Sequence, residues 1–358
     1  MRKRLYKHWP LVLAEVLALL CVFCVWRLHS VSRLLTSQQA AERWQGESER
    51  SFAQISCFTP QSERMTLEQM MTFRQAMAQK LKDASFDMEK ETGLYSDAWS
   101  CTGTVRVSAG RRSGEVQAVA VGGRFFDFHP LRLVSGSYLS PSDIMEDRVL
   151  LDRETAWLLF GGMDLTGMSF SLNGTPVVVA GVYSHETDAF SQKASEGAMR
   201  IYMHYALYER LFPEKTGVNC YEFVMADPVK GFARTSAEEK FPIKTAEVVE
   251  NSARFEVVRL WKILRNGMER TMRKSTAAYP DWENAARAAE DRAALWLGLA
   301  IAFAIFPVVL LVVYAVRYAR IGKEKLEEDV IPNARDRVEE AVRVRARRRW
   351  EKQHPDMK

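Results

Sequence analysis

Apolar positions along this chain keep three different patterns, and those patterns divide it. Two stretches, residues 11–28 and 293–316, are apolar almost throughout. Between them apolar residues recur at period two or near 3.6, the marks of half-buried strands and amphipathic helices. Residues 52–58 read as a strand. Thr66 then opens a helix through a capping box: its hydroxyl suits the backbone N–H of Gln69, and the Gln69 side chain can reach back. Leu67, Met70, Met71, Met77 and Leu81 follow at helical spacing. That Met stripe reads as core packing rather than a metal site, because Met fills irregular gaps. Residues 98–107 and 115–121 read as strands joined by a turn at 109–114. Residues 123–141 form an aromatic-rich connector.

Residues 147–183 carry the densest local signals. Residues 149–151 are a short apolar strand, and Asp152 is placed to cap a helix whose apolar side includes Trp157, Leu158 and Phe160. Gly161-Gly162 ends that helix where a left-handed conformation is wanted. Residues 168–172, the pair Asn173-Gly174 and residues 177–183 read as a hairpin, since Asn-Gly suits a tight primed turn. Further on, residues 199–205 and 221–226 are strand-like and 205–211 helical. Residues 248–274 read as a long helix with Phe255, Val258, Trp261, Ile263 and Leu264 on one broad side. Pro280-Asp281-Trp282 opens another helix, with Asp281 as its cap, that can run unbroken into residues 293–316. Residues 31–50 are polar and helix-compatible, and are expected to continue the first apolar helix as a stalk.

Residues 293–316 make twenty-four positions without a charge. At about 1.5 Å per residue they exceed a bilayer core of about 30 Å. Pro307 inside them is tolerated in a membrane helix. Residues 11–28 are interrupted by Glu15 and closed by Arg27. No small-x-small cleavage site follows them, and Cys21 and Cys24 follow Leu and Phe, so an uncleaved signal anchor is expected. Arg2, Lys3, Arg4 and Lys7 precede the first span, while Arg317, Arg320, Lys323 and Lys325 follow the second. The bias of basic residues puts both flanks in the cytoplasm and everything between the spans outside it. The expected organisation is a cytoplasmic start (1–10), a span (11–28), an extracytoplasmic α+β domain (29–292), a span (293–316) and a basic cytoplasmic tail (317–358).

The formal charge of +5 is modest and concentrated at the two ends, unlike a general nucleic-acid-binding surface. The one Gly-Lys pair, Gly322-Lys323, is followed by Glu and lacks a Walker A frame, so ATP hydrolysis by that mechanism falls to a partner. No H-E-x-x-H or G-x-S-x-G occurs, and no enzyme constellation or cofactor site is expected. His185-Glu186-Thr187-Asp188 reads as a solvated loop. Cys21 and Cys24 have redox-motif spacing but sit inside an apolar span. Cys57 and Cys101, both on the oxidising side, are a candidate disulfide, with Cys220 the odd third. Glu15, a carboxylate inside a span, either faces a partner helix or reaches the headgroups near the cytoplasmic end. The tail from Pro332 can form a helix capped by Asn333, with Arg343, Arg345, Arg347, Arg348, Arg349 and Trp350 crowded at its end. Those residues suit anionic headgroups, with Trp350 as interfacial anchor.

The order of these elements carries a resemblance. Ala156-Trp157-Leu158-Leu159-Phe160-Gly161, the turn from Asp164 to Gly167 and Val179-Ala180-Gly181-Val182 follow an aromatic-rich segment between two spans. This arrangement resembles the extracytoplasmic core domain of MacB/FtsX-like ABC transporter permeases. The turn lacks the proline common in that family. The resemblance implies an α+β outer domain with a porter-like part and a small hairpin-containing part, held between membrane helices. It also implies a separate ABC ATPase as partner, a cytoplasmic helix that touches it, and a fuller permease subunit beside this one. Typical members have three spans after the outer domain where this chain shows one, so a half-length or accessory form is expected. The alternative is a membrane-anchored extracytoplasmic sensor or binding protein without a transport cycle.

Overall fold

The computed structural model describes residues 2–87, 91–266, 277–325 and 331–353. In chain order the elements are α1 (Arg2–Ser32), a 3-10 turn (Thr36–Gln38), α2 (Ala40–Gln45), β1 (Phe52–Phe58), α3 (Leu67–Asp83), β2 (Tyr95–Ala109), β3 (Arg112–Gly123), α4 (Phe125–Phe128) and β4 (Arg132–Gly136). They continue with β5 (Arg148–Asp152), α5 (Arg153–Phe160), β6 (Ser169–Leu172), β7 (Thr175–Ser184), α6 (Ala189–Ser195), β8 (Arg200–His204) and α7 (Tyr205–Leu211). Last come β9 (Cys220–Ala226), α8 (Phe232–Lys240), β10 (Glu247–Glu250), α9 (Val257–Arg265), α10 (Asp281–Lys325) and α11 (Ile331–Gln353). The chain divides into two compact units, Met1–Val25 with Leu299–Lys358, and Trp26–Gly298.

Among the described residues of the larger unit, ten strands make one mixed sheet in the order β10-β1-β9-β2-β3-β8-β5-β7-β4, with β6 against β2 and β7. β3 with β8 and β5 with β7 are parallel; the other pairs are antiparallel. Period-two alternation sorts the side chains between two faces. Ile55, Cys57, Ala118, Ala120, Ile201, Met203, Tyr221 and Phe223 face a core covered by α3, α5, α7 and α8. Val119, Val121, Tyr202 and Val224 belong to a second core that includes α2 and α4. On the first face Phe73 meets Tyr221, Phe223 and Phe241 edge-on at 5.6, 5.7 and 5.3 Å. Such pairs add about 0.5–1.5 kcal/mol each beyond burial.

The local signals hold where chain-local chemistry decides them. Thr66 and Gln69 close the capping box in both directions, at 2.9 and 3.2 Å. Asp152 accepts from the Thr155 N–H at 2.7 Å, and Gly161 takes the left-handed conformation at φ 73°. Asn173 and Gly174 both have positive φ between β6 and β7.

Packing overrides other expectations. α5 buries Thr155, Ala156 and Leu159, packs Phe160 partly against the core and turns Trp157 outward at 63% exposure, so only part of the expected apolar side faces inward. α3 buries Met70, Phe73, Met77 and Leu81 but exposes Leu67 and Met71. The 123–141 connector contains α4 and β4. The expected stalk over 31–50 is broken: α1 ends at Ser32, and a 3-10 turn and the short α2 follow. Val31, Leu35, Ala40 and Ala41 are buried there, so packing bends a segment that reads as polar. The expected helix over 248–274 also divides. Val248 and Val249 pair with β1 as part of β10, α9 begins at Val257, and 267–274 lie outside the described residues. α10 begins at Asp281 itself rather than after it, and Asn333 lies inside α11.

Candidate coupling site at the root of the second long helix

Alternation places Ser56 of β1 on the face opposite Ile55 and Cys57, directly across from Glu222 of β9. Ser56 Oγ donates to Glu222 Oε1 at 2.7 Å, and the other Glu222 oxygen meets His129 Nε2 at 2.5 Å. Asn251 Nδ2 donates to Ser56 Oγ at 2.6 Å, and Arg254 donates to Asn251 Oδ1 at 3.0 Å. Arg254 also donates to Glu283 at 2.6 Å and reaches Glu290 at 3.3 Å, both on α10. Arg259 of α9 donates to Glu290 at 3.0 Å. Arg287 of α10 donates to Glu283 at 2.7 Å and to Glu247 of β10 at 2.6 Å. One polar chain therefore runs from beside α4, through β9 and β1, into the outer end of α10.

This chain is out of solvent. Glu222, Ser56, Asn251, Arg254, Glu283 and Glu290 are all under 5% exposed. An isolated charge in such surroundings is costly, so every carboxylate here has a guanidinium, imidazole or hydroxyl against it. Burial disfavours the Arg287 cation, but Glu283 and Glu247 more than offset this and hold it above its usual range. Its guanidinium also lies 3.9 Å from the Tyr279 ring centroid, within cation–π range.

A second contact fastens the first turn of α10. Arg200 of β8 pairs with Asp281 and donates to Gln117 at 3.2 Å. The two partners shift differently. Arg200 is raised, because Tyr202 and Asp281 outweigh the burial that lowers it. Burial raises Asp281 more than Arg200 lowers it. For the carboxylate, desolvation wins. His129 and Trp282 pack beside this contact with ring centroids 4.5 Å apart and planes tilted at 46°. A cavity of about 250 Å³ opens there, with Arg200, Asp281, His129 and Trp282 among its walls.

Asp152 does more than cap. Its Oδ2 accepts from the Arg200 N–H at 2.5 Å and meets His185 Nε2 at 2.9 Å. His185 is therefore tied to the fold rather than solvated in a loop. Asp152, Glu154 and His185 have the donor types of a metal site, with ligand atoms within 4.8 Å of one another. Both Asp152 oxygens are already engaged by main-chain N–H groups, so the cluster is accounted for by structure.

The site residues read from the sequence lie elsewhere. Cys57 and Cys101 are free thiols, so the candidate disulfide is not formed. β9 runs between their strands. Two strand spacings of about 4.8 Å put them at least about 10 Å apart, and Cys57 lies level with Trp99 rather than Cys101, so they are beyond the reach of a disulfide. Glu15 is exposed on α1, and Arg343, Arg345, Arg347, Arg348, Arg349 and Trp350 are exposed on α11. None of these joins the polar chain. Its members gave little sequence signal: Ser56 and Glu222 alternate with apolar neighbours, a pattern that ordinarily faces polar residues to water.

A mixed α/β domain whose sheet is fastened to a long helix with an apolar continuation fits a membrane protein carrying a core domain. Residues 49–241 match the family model of the MacB-like periplasmic core domain, more than half of the chain. The chain belongs to that family, and is an ABC-transporter permease-type membrane protein with an extracytoplasmic domain. Solved structures with a similar fold include the periplasmic region of MacB from Actinobacillus actinomycetemcomitans. That pair shares 14% identity with TM-score 0.42, covering 61% of this chain and 94% of that one. Another is the extracellular domain of the noncanonical ABC-type transporter YknZ from Gram-positive bacteria, at 14% identity and TM-score 0.39, covering 55% and 99%. A domain of a putative permease from Porphyromonas gingivalis aligns at 11% identity and TM-score 0.32, covering 56% and 87%. Comparison with curated protein sequences finds no match.

Proposed function

We propose that the protein is a permease-like or accessory subunit of an ABC transporter, and that it couples a separate ATPase to movements of its extracytoplasmic domain. The observation that carries this reading is that α10 holds both an apolar run long enough to span a bilayer and the carboxylates of the buried polar chain. A displacement of α10 then cannot leave the sheet behind without separating buried charges, which is costly. The basic flanks support cytoplasmic termini. Exposed arginines on α11 supply a surface for anionic lipid or for the ATPase. A fuller permease subunit completes the proposed assembly. The second reading, a membrane-anchored binding protein without a transport cycle, draws on the cavity beside Arg200 and Trp282.

Affinity purification of the tagged full chain from native membranes in mild detergent separates the two. Co-purification of an ATPase with a Walker A motif supports the coupling role. Recovery of a kinase or a cell-wall enzyme, with no ATPase, contradicts it.

A further inference from the structure

We infer that α9 is a membrane-surface helix, seated in the leaflet on the side of the core domain. The inference deepens the membrane reading and rests on residues 293–316 crossing the bilayer. α9 is strongly amphipathic, and its apolar arc is wider than the stripe covered by the fold. Leu260 and Ile263 are buried in a cluster with Ala285, Ala286, Ala289 and Ala293 of α10. Val257, Val258, Trp261 and Leu264, on the adjoining side of the helix, remain 62, 66, 48 and 38% exposed. Lys262 and Arg265 are exposed beside them, and Arg259 points back to Glu290.

The height of this face along α10 selects its occupant. A Cβ on Gly298 would come within 3.2 Å of both Leu264 methyl groups, so the end of α9 packs against α10 five residues into the apolar run. Trp296 lies at the same level, with the Arg27 guanidinium 5.6 Å from its ring centroid and 5.9 Å from that of Trp26. Tryptophan, arginine and a helix with an apolar face and cationic flank mark the water–lipid boundary. An exposed apolar arc at that level meets acyl chains and headgroups. Lys262 and Arg265 can extend to phosphate while their stems stay on the apolar side.

The test uses the full chain in lipid nanodiscs with Cys21 and Cys24 of α1 replaced by alanine; Cys57, Cys101 and Cys220 are buried in the core domain and stay. Spin labels are placed one at a time by Val258→Cys, Trp261→Cys, Leu311→Cys on α10 and Trp157→Cys on α5. Accessibility to oxygen and to a water-soluble nickel complex is then measured. The expected result is a deep label at 311, an aqueous one at 157, and labels at 258 and 261 with an oxygen-to-nickel ratio several-fold above that at 157. A lipid-exposed label at 311 with aqueous labels at 258 and 261 overturns the inference and leaves the membrane reading standing. Labels at 258 and 261 that are immobilised and shielded from both reagents also overturn it, because a protein then covers the face. An aqueous label at 311 removes the membrane reading and the inference with it.

Discussion

Arg254 and Glu283 meet at 2.6 Å with their side chains 0 and 1% exposed, one on the loop after β10 and the other in the first turn of α10. Their contact closes the polar chain between sheet and helix. Removing one member of a buried pair typically costs about 3–5 kcal/mol when the other is left uncompensated, but Glu283 keeps Arg287 and Glu290 keeps Arg259. Arg254→Met is therefore expected to destabilise the core domain toward the lower end of that range, by about 3 kcal/mol. The double change Arg254→Met with Glu283→Gln is expected to cost less than the sum of the single changes, because it removes both charges of one contact. Thermal melts of the four proteins check this; additive losses would show that the pair does not couple.

Asp281 gives the pH dependence a defined sign. Burial raises its carboxyl above the ordinary value of 3.8, against the opposing pull of Arg200. The folded chain therefore holds that proton to higher pH than the unfolded chain does. Its contribution is complete below pH 3.8 and is lost as the pH rises through the folded value. Asp281→Asn removes the titration, so the melting temperature of the wild type, taken relative to the variant, is expected to fall as the pH rises from 3.8. A relative rise over that window would contradict the assignment.

The three thiols of the core domain are expected to be slow to react. Burial pushes Cys101 up to about 12 and also raises Cys57 and Cys220. Thiolate is the reacting form, so little is present at pH 8. Alkylation followed by mass spectrometry of non-reduced protein should find Cys57, Cys101 and Cys220 unmodified when folded and all three modified in denaturant. A Cys57–Cys101 linked peptide would contradict the strand order.

Gly181, in the run Val179-Ala180-Gly181-Val182, lies opposite Gly136 across β7 and β4. A Cβ on Gly181 would come within 2.5 Å of the Ser135 carbonyl oxygen, and one on Gly136 within 2.2 Å of that of Ala180. Both obstacles are backbone and cannot swing aside. Gly181→Ala is expected to lower stability by more than about 2 kcal/mol, in the range of a strained core substitution. Gly174→Ala, which meets only open space at φ 89°, should lose about 1 kcal/mol. Chemical denaturation of the two variants checks the order.

The same residues show how far the chain can be read without its fold. Caps, turns and strand periods depend on neighbours within four or five positions, so Thr66, Asp152, Gly161 and Asn173-Gly174 were legible. The family order around Ala156 to Val182 was legible for the same reason. Long-range packing was not. Trp157 points outward because Ala156 and Leu159 take the inward side of α5, and Val248-Val249 become an edge strand because β1 is there to pair with them. The buried polar chain was hidden most fully. Ser56 and Glu222 alternate as a water-facing side would, and that face is buried only once α2 and α4 pack on it and α10 brings up Glu283, Arg287 and Glu290. Charged residues spaced along one helix read as a solvated side until the sheet that neutralises them is in place.

The most direct test of coupling is a distance that follows the nucleotide state. In the complex purified with its ATPase, spin labels are placed at Trp157 of α5 and Val344 of α11, both exposed. Their separation is measured by pulsed electron–electron resonance without nucleotide and with ATP trapped. The account predicts a shift between the two states that shrinks in Glu283→Gln. An unchanged separation in the wild type, or an equal shift in the variant, would contradict it.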